Sequence, residues 1–133
     1  MNEEKYANLK EIAREIRLSI IRMLKEAKSG HPGGSLSCAD LLTVLYFDQM
    51  NIDPKNPTKE DRDRFVLSKG HAAPVLYATL AERGFFEKED LLGLRKIDNK
   101  LQGHPDMRKV PGVDMSTGSL GLGFSSAVGM ALA

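Results

Sequence analysis

Ser29-Gly30-His31-Pro32-Gly33-Gly34 is the stretch on which the reading of this chain turns. It sets an imidazole in a Gly/Pro-rich bend between two apolar-periodic segments. The chain has three histidines, and the other two keep similar company, in Gly70-His71-Ala72 and Gly103-His104-Pro105. A further glycine-rich stretch follows at Gly118-Ser119-Leu120-Gly121-Leu122-Gly123. Three Gly-His steps and a glycine turn, tens of residues apart, read as loops gathered round one ligand. Histidines are also common in turns for no functional reason, and that reading stays open at this point.

Upstream of the bend, Leu9, Ile12, Ala13, Ile16, Ile20, Met23, Leu24 and Ala27 recur at helical spacing. The pattern predicts an amphipathic helix over 6–28. Lys25 and Lys28 suit its C-terminal end, Gly30 its exit, and Pro32 forbids its continuation. Downstream, Ser37-Cys38-Ala39-Asp40 predicts the next helix start, with Ser37 as cap and Asp40 as a short relative of the capping-box glutamate. Leu41 to Phe47 is densely apolar and predicts a helix buried on most sides. An exposed connection follows over 51–63, with a small helical turn near Thr58. Arg64-Phe65-Val66-Leu67-Ser68 reads as a short buried strand, and Val113-Asp114-Met115-Ser116 as a second. Between them lie a helix over 72–82, with Pro74 in its first turn and Gly84 as its stop, and a shorter helix over 87–97. A small-residue helix is expected from Ser119 onward.

Composition limits the function. The 133 residues suffice for one ordinary domain. With 19 basic and 18 acidic side chains, the balance carries no electrostatic footprint for nucleic acid or an anionic membrane. No window approaches the roughly 20 apolar residues of a membrane span, and the N-terminus has no secretory apolar core. The single Cys38 has no disulfide or CxxC partner, in keeping with a cytoplasmic protein.

The glycine turn before a helix can favour an anion through backbone N–H groups. Ser126 stands where a dinucleotide fingerprint needs its third glycine, and no Gly-Lys-Ser/Thr marks a P-loop. Close helix packing alone also explains these glycines. The histidines lack HxxxH or HExxH spacing, so no metal ligands are assigned. Neutral imidazoles near pH 7 serve better as donors, acceptors and proton carriers. His71, at a helix start, is placed to donate to an anionic group. His31 and His104 each precede a proline, which keeps their backbone extended.

Taken together, Ser29 to Gly34, Leu67-Ser68-Lys69-Gly70-His71-Ala72, Gly103-His104-Pro105 and Thr117 to Gly123 resemble transketolase, at the start of its diphosphate-binding domain. The order agrees from about residue 8 to the end, and the variety most resembled is the N-terminal half of split, two-subunit transketolases. The resemblance implies an α/β fold: the helix-rich front part of a thiamine-diphosphate-binding domain, with an incomplete parallel sheet. It implies transfer of a two-carbon ketol unit from a ketose phosphate to an aldose phosphate. The cofactors implied are thiamine diphosphate and Mg2+ or another divalent cation. Sugar phosphates, a C-terminal transketolase subunit or domain, and further copies in a homo- or hetero-oligomer are the partners implied. By motif, His71 contacts the cofactor near its diphosphate, and Gly118, Ser119 and Leu120 line the thiamine. His31 and His104 are the catalytic candidates, bonding substrate hydroxyls and assisting proton transfer.

Two positions depart from the family pattern: Ser119 replaces a proline and Leu122 a glutamine. The Gly-Asp-Gly metal motif and the glutamate that activates the cofactor do not occur in these 133 residues. The expectation is that residues 1–133 are an incomplete domain, inactive alone. The alternative is a non-catalytic truncated fragment or binding module. A nucleotide-binding oxidoreductase, resting on the glycine turn alone, is a third reading.

Overall fold

The computed structural model describes residues 3–133. Helix α1 spans Glu3–Ala27 and buries Leu9, Ala13, Ile16, Ile20 and Met23, a stripe alternating steps of four and three. Glu3 and Glu4 in its first turn and Lys25 in its last complement the helix dipole. Lys28 leaves the helix in a left-handed conformation at φ 50°.

Pro32 does more than block α1. It occupies the first turn of a short helix, α2, over Pro32–Leu36, where its missing N–H costs nothing. The next helix, α3, spans Ala39–Val44 and widens into a π turn over Leu45–Gln49, with Met50 N–H donating to Leu45 O at 2.8 Å. The expected capping box does not form. Ser37 Oγ donates instead to Gly34 O, 3.1 Å away, while the Asp40 carboxylate pairs with Arg17 on α1. Only one side of α3 is buried: Leu42, Thr43 and Tyr46 face the core, whereas Leu41 and Val44 are exposed.

The centre of the molecule is α4, Ala73–Arg83, entered through a 3-10 turn over Gly70–Ala72. Every residue from Ala73 to Ala81 is buried, because α1, α3 and the 3-10 segment Lys88–Gly93 pack round it. Thr79, fully enclosed, satisfies its hydroxyl on Val75 O at 2.7 Å. Gly84 ends α4 at φ 96°, and the N–H groups of Gly84 and Phe85 turn back to Ala81 O and Leu80 O. The last helix, α5, spans Leu122–Leu132 and starts later than Ser119, because Ser119–Gly121 forms a turn with Gly121 left-handed. Near Thr58 the chain makes turns but no helix.

The expected parallel sheet is absent: no strand occurs among the described residues. Residues 62–67 and 113–117 lie close together without regular structure, and side chains join them. Phe65 N–H donates to Asp114 Oδ2 at 2.8 Å, Arg62 pairs with Asp114 at 2.7 Å, and Thr117 Oγ1 donates to Leu67 O at 2.7 Å. A ladder needs backbone donors facing backbone acceptors along the pair, and here the carboxylate and hydroxyl take those places. The apolar run 64–68 is therefore an irregular segment that bends at Ser68.

Candidate functional site

The loops bearing the three histidines meet at one rim of the α4 core. His31 lies just before α2 with extended backbone, φ −122° and ψ 96°, as its following proline requires. His71 stands in the 3-10 turn that opens α4. His104 lies in the irregular segment after Leu101, where the buried phenol Tyr77 Oη sits 2.9 Å from Gln102 O and 3.0 Å from His104 O, sharing one proton between them. The His31 and His71 ring centroids are 5.8 Å apart, edge to face at 90°, and those of His71 and His104 are 4.7 Å apart at 81°. All three imidazoles are solvent-accessible, so the cluster is an open rim.

Gly118 completes the rim, since a Cβ there would lie 3.8 Å from His104 Cδ2. The adjoining Thr117 carbonyl closes on Gly70, leaving no room for a side chain at Gly70. This contact joins the His71 loop to the glycine turn. Ser119 and Leu120 lie in the exposed turn that opens α5, and Leu120 is 74% exposed. Ser68 Oγ accepts from Phe124 N–H at 3.0 Å, so one donor of the α5 N-terminus serves the fold.

Partial burial, then the positive fields of His71, Arg95 and His31, hold the His104 proton affinity below the usual histidine range. The charges that lower it, those of His71, Arg95 and His31, are basic. A neutral His104 can accept a proton at pH 7. Among the described residues no group of three or more His, Cys, Asp or Glu is placed to hold a metal ion.

Sequence reasoning did not single out Tyr77 and Arg95. The only signal for Tyr77 is a polar tip within the buried apolar part of α4. Arg95 sits at φ 62° in a turn whose shape no local pattern announces.

The fold is similar to that of transketolase from Leishmania mexicana, with a TM-score of 0.90 and 37% identity, covering 93% of this chain and 19% of that one. The family model for the transketolase thiamine diphosphate binding domain matches residues 8–133, and the chain belongs to that family. Among curated relatives, it is 50% identical over 130 residues to the 6-deoxy-6-sulfo-D-fructose transketolase subunit SqwG of Clostridium sp. strain MSTE9, covering 98% of this chain and 47% of that protein. It is 46% identical over 117 residues to an apulose-4-phosphate transketolase subunit of Phocaeicola vulgatus, covering 88% of this chain and 41% of that protein. The chain thus spans less than half the length of these relatives.

Proposed function

We propose that this chain supplies the diphosphate-binding front of a transketolase that moves a two-carbon ketol unit between sugar phosphates. The observation that carries the reading is the convergence of His31, His71 and His104 beside Gly118. When bound, thiamine diphosphate supplies a nucleophilic carbon that lets the C–C bond beside a ketose carbonyl break. His71 donates to the diphosphate end. Gly118, Ser119 and Leu120 present backbone and apolar surface to the thiamine. His31 and His104 bond substrate hydroxyls, and His104, held neutral, takes and returns a proton. The Arg95 guanidinium beside Gly103 and the imidazole N–H donors are the features of this rim that fit such an anionic group.

A divalent cation, magnesium or a similar ion, accompanies the diphosphate, with ligands from outside these 133 residues. The names of the two relatives as subunits support a complementary C-terminal subunit or domain and an oligomer. We place the protein in the cytoplasm, on its unpaired Cys38. No helix among the described residues is long and apolar enough to cross a membrane.

The test is ketol transfer between sugar phosphates by this chain co-purified with its complementary subunit. His71→Ala is expected to lower turnover at subsaturating thiamine diphosphate by at least about 100-fold, and His104→Ala by about 10²–10⁴-fold at saturation. The 133-residue chain by itself is expected to be inactive. Thiamine-dependent turnover by the isolated chain, or full activity in both variants, would contradict the proposal.

A further inference from the structure

The three imidazoles lie on separate loops, and the His31 segment is anchored by Gly30 against Leu24 and by buried Ser35, whose hydroxyl donates to Ala72 O at 3.4 Å, while His31 itself stands outside that packing. His31, Pro32 and Gly33 are exposed, and a Cβ built on Gly33 meets nothing within 4 Å. No side chain caps α2. Two cations nonetheless hold this segment, one at each end. At its start, Arg95 Nη1 donates to Ser29 Oγ at 2.9 Å. The same guanidinium lies against Gly103, where an added Cβ would stand 3.0–3.2 Å from Nη2, Cζ and Nε. Arg95 is aimed there by its left-handed backbone, φ 62°, and by its N–H donating to Leu101 O at 2.8 Å. At the far end, Lys69 Nζ donates to Gly34 O at 2.8 Å and to Ser37 Oγ at 3.2 Å. Lys69 is two residues before His71, and Gly103 directly precedes His104. Each cation therefore ties the His31 segment to one of the other two histidine loops.

We propose that Lys69 and Arg95 are positioning residues, which grip the Ser29–Ser37 segment at its two ends and set the distance of His31 from His71 and His104. The acceptors are neutral oxygens, so each grip depends on donor geometry more than on charge pairing. Lysine, with three rotatable donors on a flexible stem, serves two oxygens on a helix end. Arginine, a rigid planar fork, can lie flat on a glycine while one arm reaches a hydroxyl. A side chain at 103 would make the guanidinium give by a few tenths of an ångström. The proposal rests on the transketolase reading only in taking the imidazoles as the working groups.

The test is ring-to-ring proximity, read by proton NMR cross-peaks between imidazoles in the full chain. Ser29→Ala removes the Arg95 acceptor from an exposed position that the fold does not need. Lys69→Met keeps the stem and removes the donors. Each is expected to weaken the His31–His71 cross-peak several-fold, while the His71–His104 cross-peak and the helical circular dichroism stay unchanged. Lys69→Arg is expected to restore the cross-peak at least in part. Arg95→Gln should also raise the pH midpoint of His104, whose other charged neighbours are His31 and His71, with Asp106 acting nearby on Tyr77. Arg95→Lys should leave that midpoint near its original value. Unchanged His31–His71 cross-peaks in Ser29→Ala or in Lys69→Met would overturn the two-ended grip. So would an unchanged His104 midpoint in Arg95→Gln. These readouts need no turnover, so the clamp can fail while ketol transfer stands, and the reverse.

Discussion

Helices α4 and α5 are each 11 residues long, and each follows a glycine-containing turn that contributes to the histidine rim. Their fates differ. Nine consecutive residues of α4 are buried, whereas only Gly123 of α5 is, although α5 is the more apolar of the two. Leu122, Phe124, Val128, Met130 and Leu132 all face outward. Burial thus follows what surrounds a helix, not its composition. α1, α3 and the segment after Gly84 surround α4, while α5 touches the core through Gly123, whose Cβ position is 2.9 Å from Ser68 Cα. Within residues 3–133, the α4 side of the rim is packed by several elements and the α5 side meets its neighbours at Gly123.

That contrast can be broken by paired substitutions. Leu80→Ala in α4 is expected to cost about 2–5 kcal/mol, as for other fully buried leucines, and Leu132→Ala in α5 less than about 0.5 kcal/mol. Equal shifts in urea midpoint would remove the distinction. Gly70→Ala probes the seam between the two sides. The new methyl meets the Thr117 carbonyl, so a cost of about 1–3 kcal/mol is expected, with displacement of Gly118 from His104 seen as altered ring shifts. A wild-type urea midpoint and unchanged His104 shifts would contradict the close approach.

A smaller effect sharpens the electrostatics of the rim. The folded state holds His104 below its unfolded pKa of about 6.5, so the unfolded chain binds more protons in that window. The contribution from neutral His104 is complete above about pH 6.5 and is lost as pH falls through the lower folded value. Melting curves from pH 7.5 to 5.5 should show a decline that is shallower in His104→Asn. Identical slopes would place the proton uptake elsewhere.

Much of this was legible in the chain itself. The stripe from Leu9 to Met23 announced α1, and Gly84 announced the end of α4. The Gly-His steps announced a cluster whose rings do meet. What was not legible depended on partners distant in sequence. Pro32 reads equally well as the stop of one helix or the start of the next, and the backbone uses both. The run Phe65-Val66-Leu67 has strand composition, but a strand is defined by its neighbour, and that neighbour answers with the Asp114 carboxylate and the Thr117 hydroxyl. The density of Leu41 to Phe47 suggested burial on most sides, yet α3 has core on one side only. Lys69 and Arg95 look like ordinary surface cations until the fold brings Gly34 and Ser29 to them.

The most direct test of the central claim is a titration of thiamine diphosphate with magnesium into the proposed assembly of this chain with a complementary subunit, with only this chain's histidines isotope-labelled. The account predicts that the His31, His71 and His104 ring signals all shift, with a common midpoint. Saturable binding that leaves the three rings unmoved would contradict it.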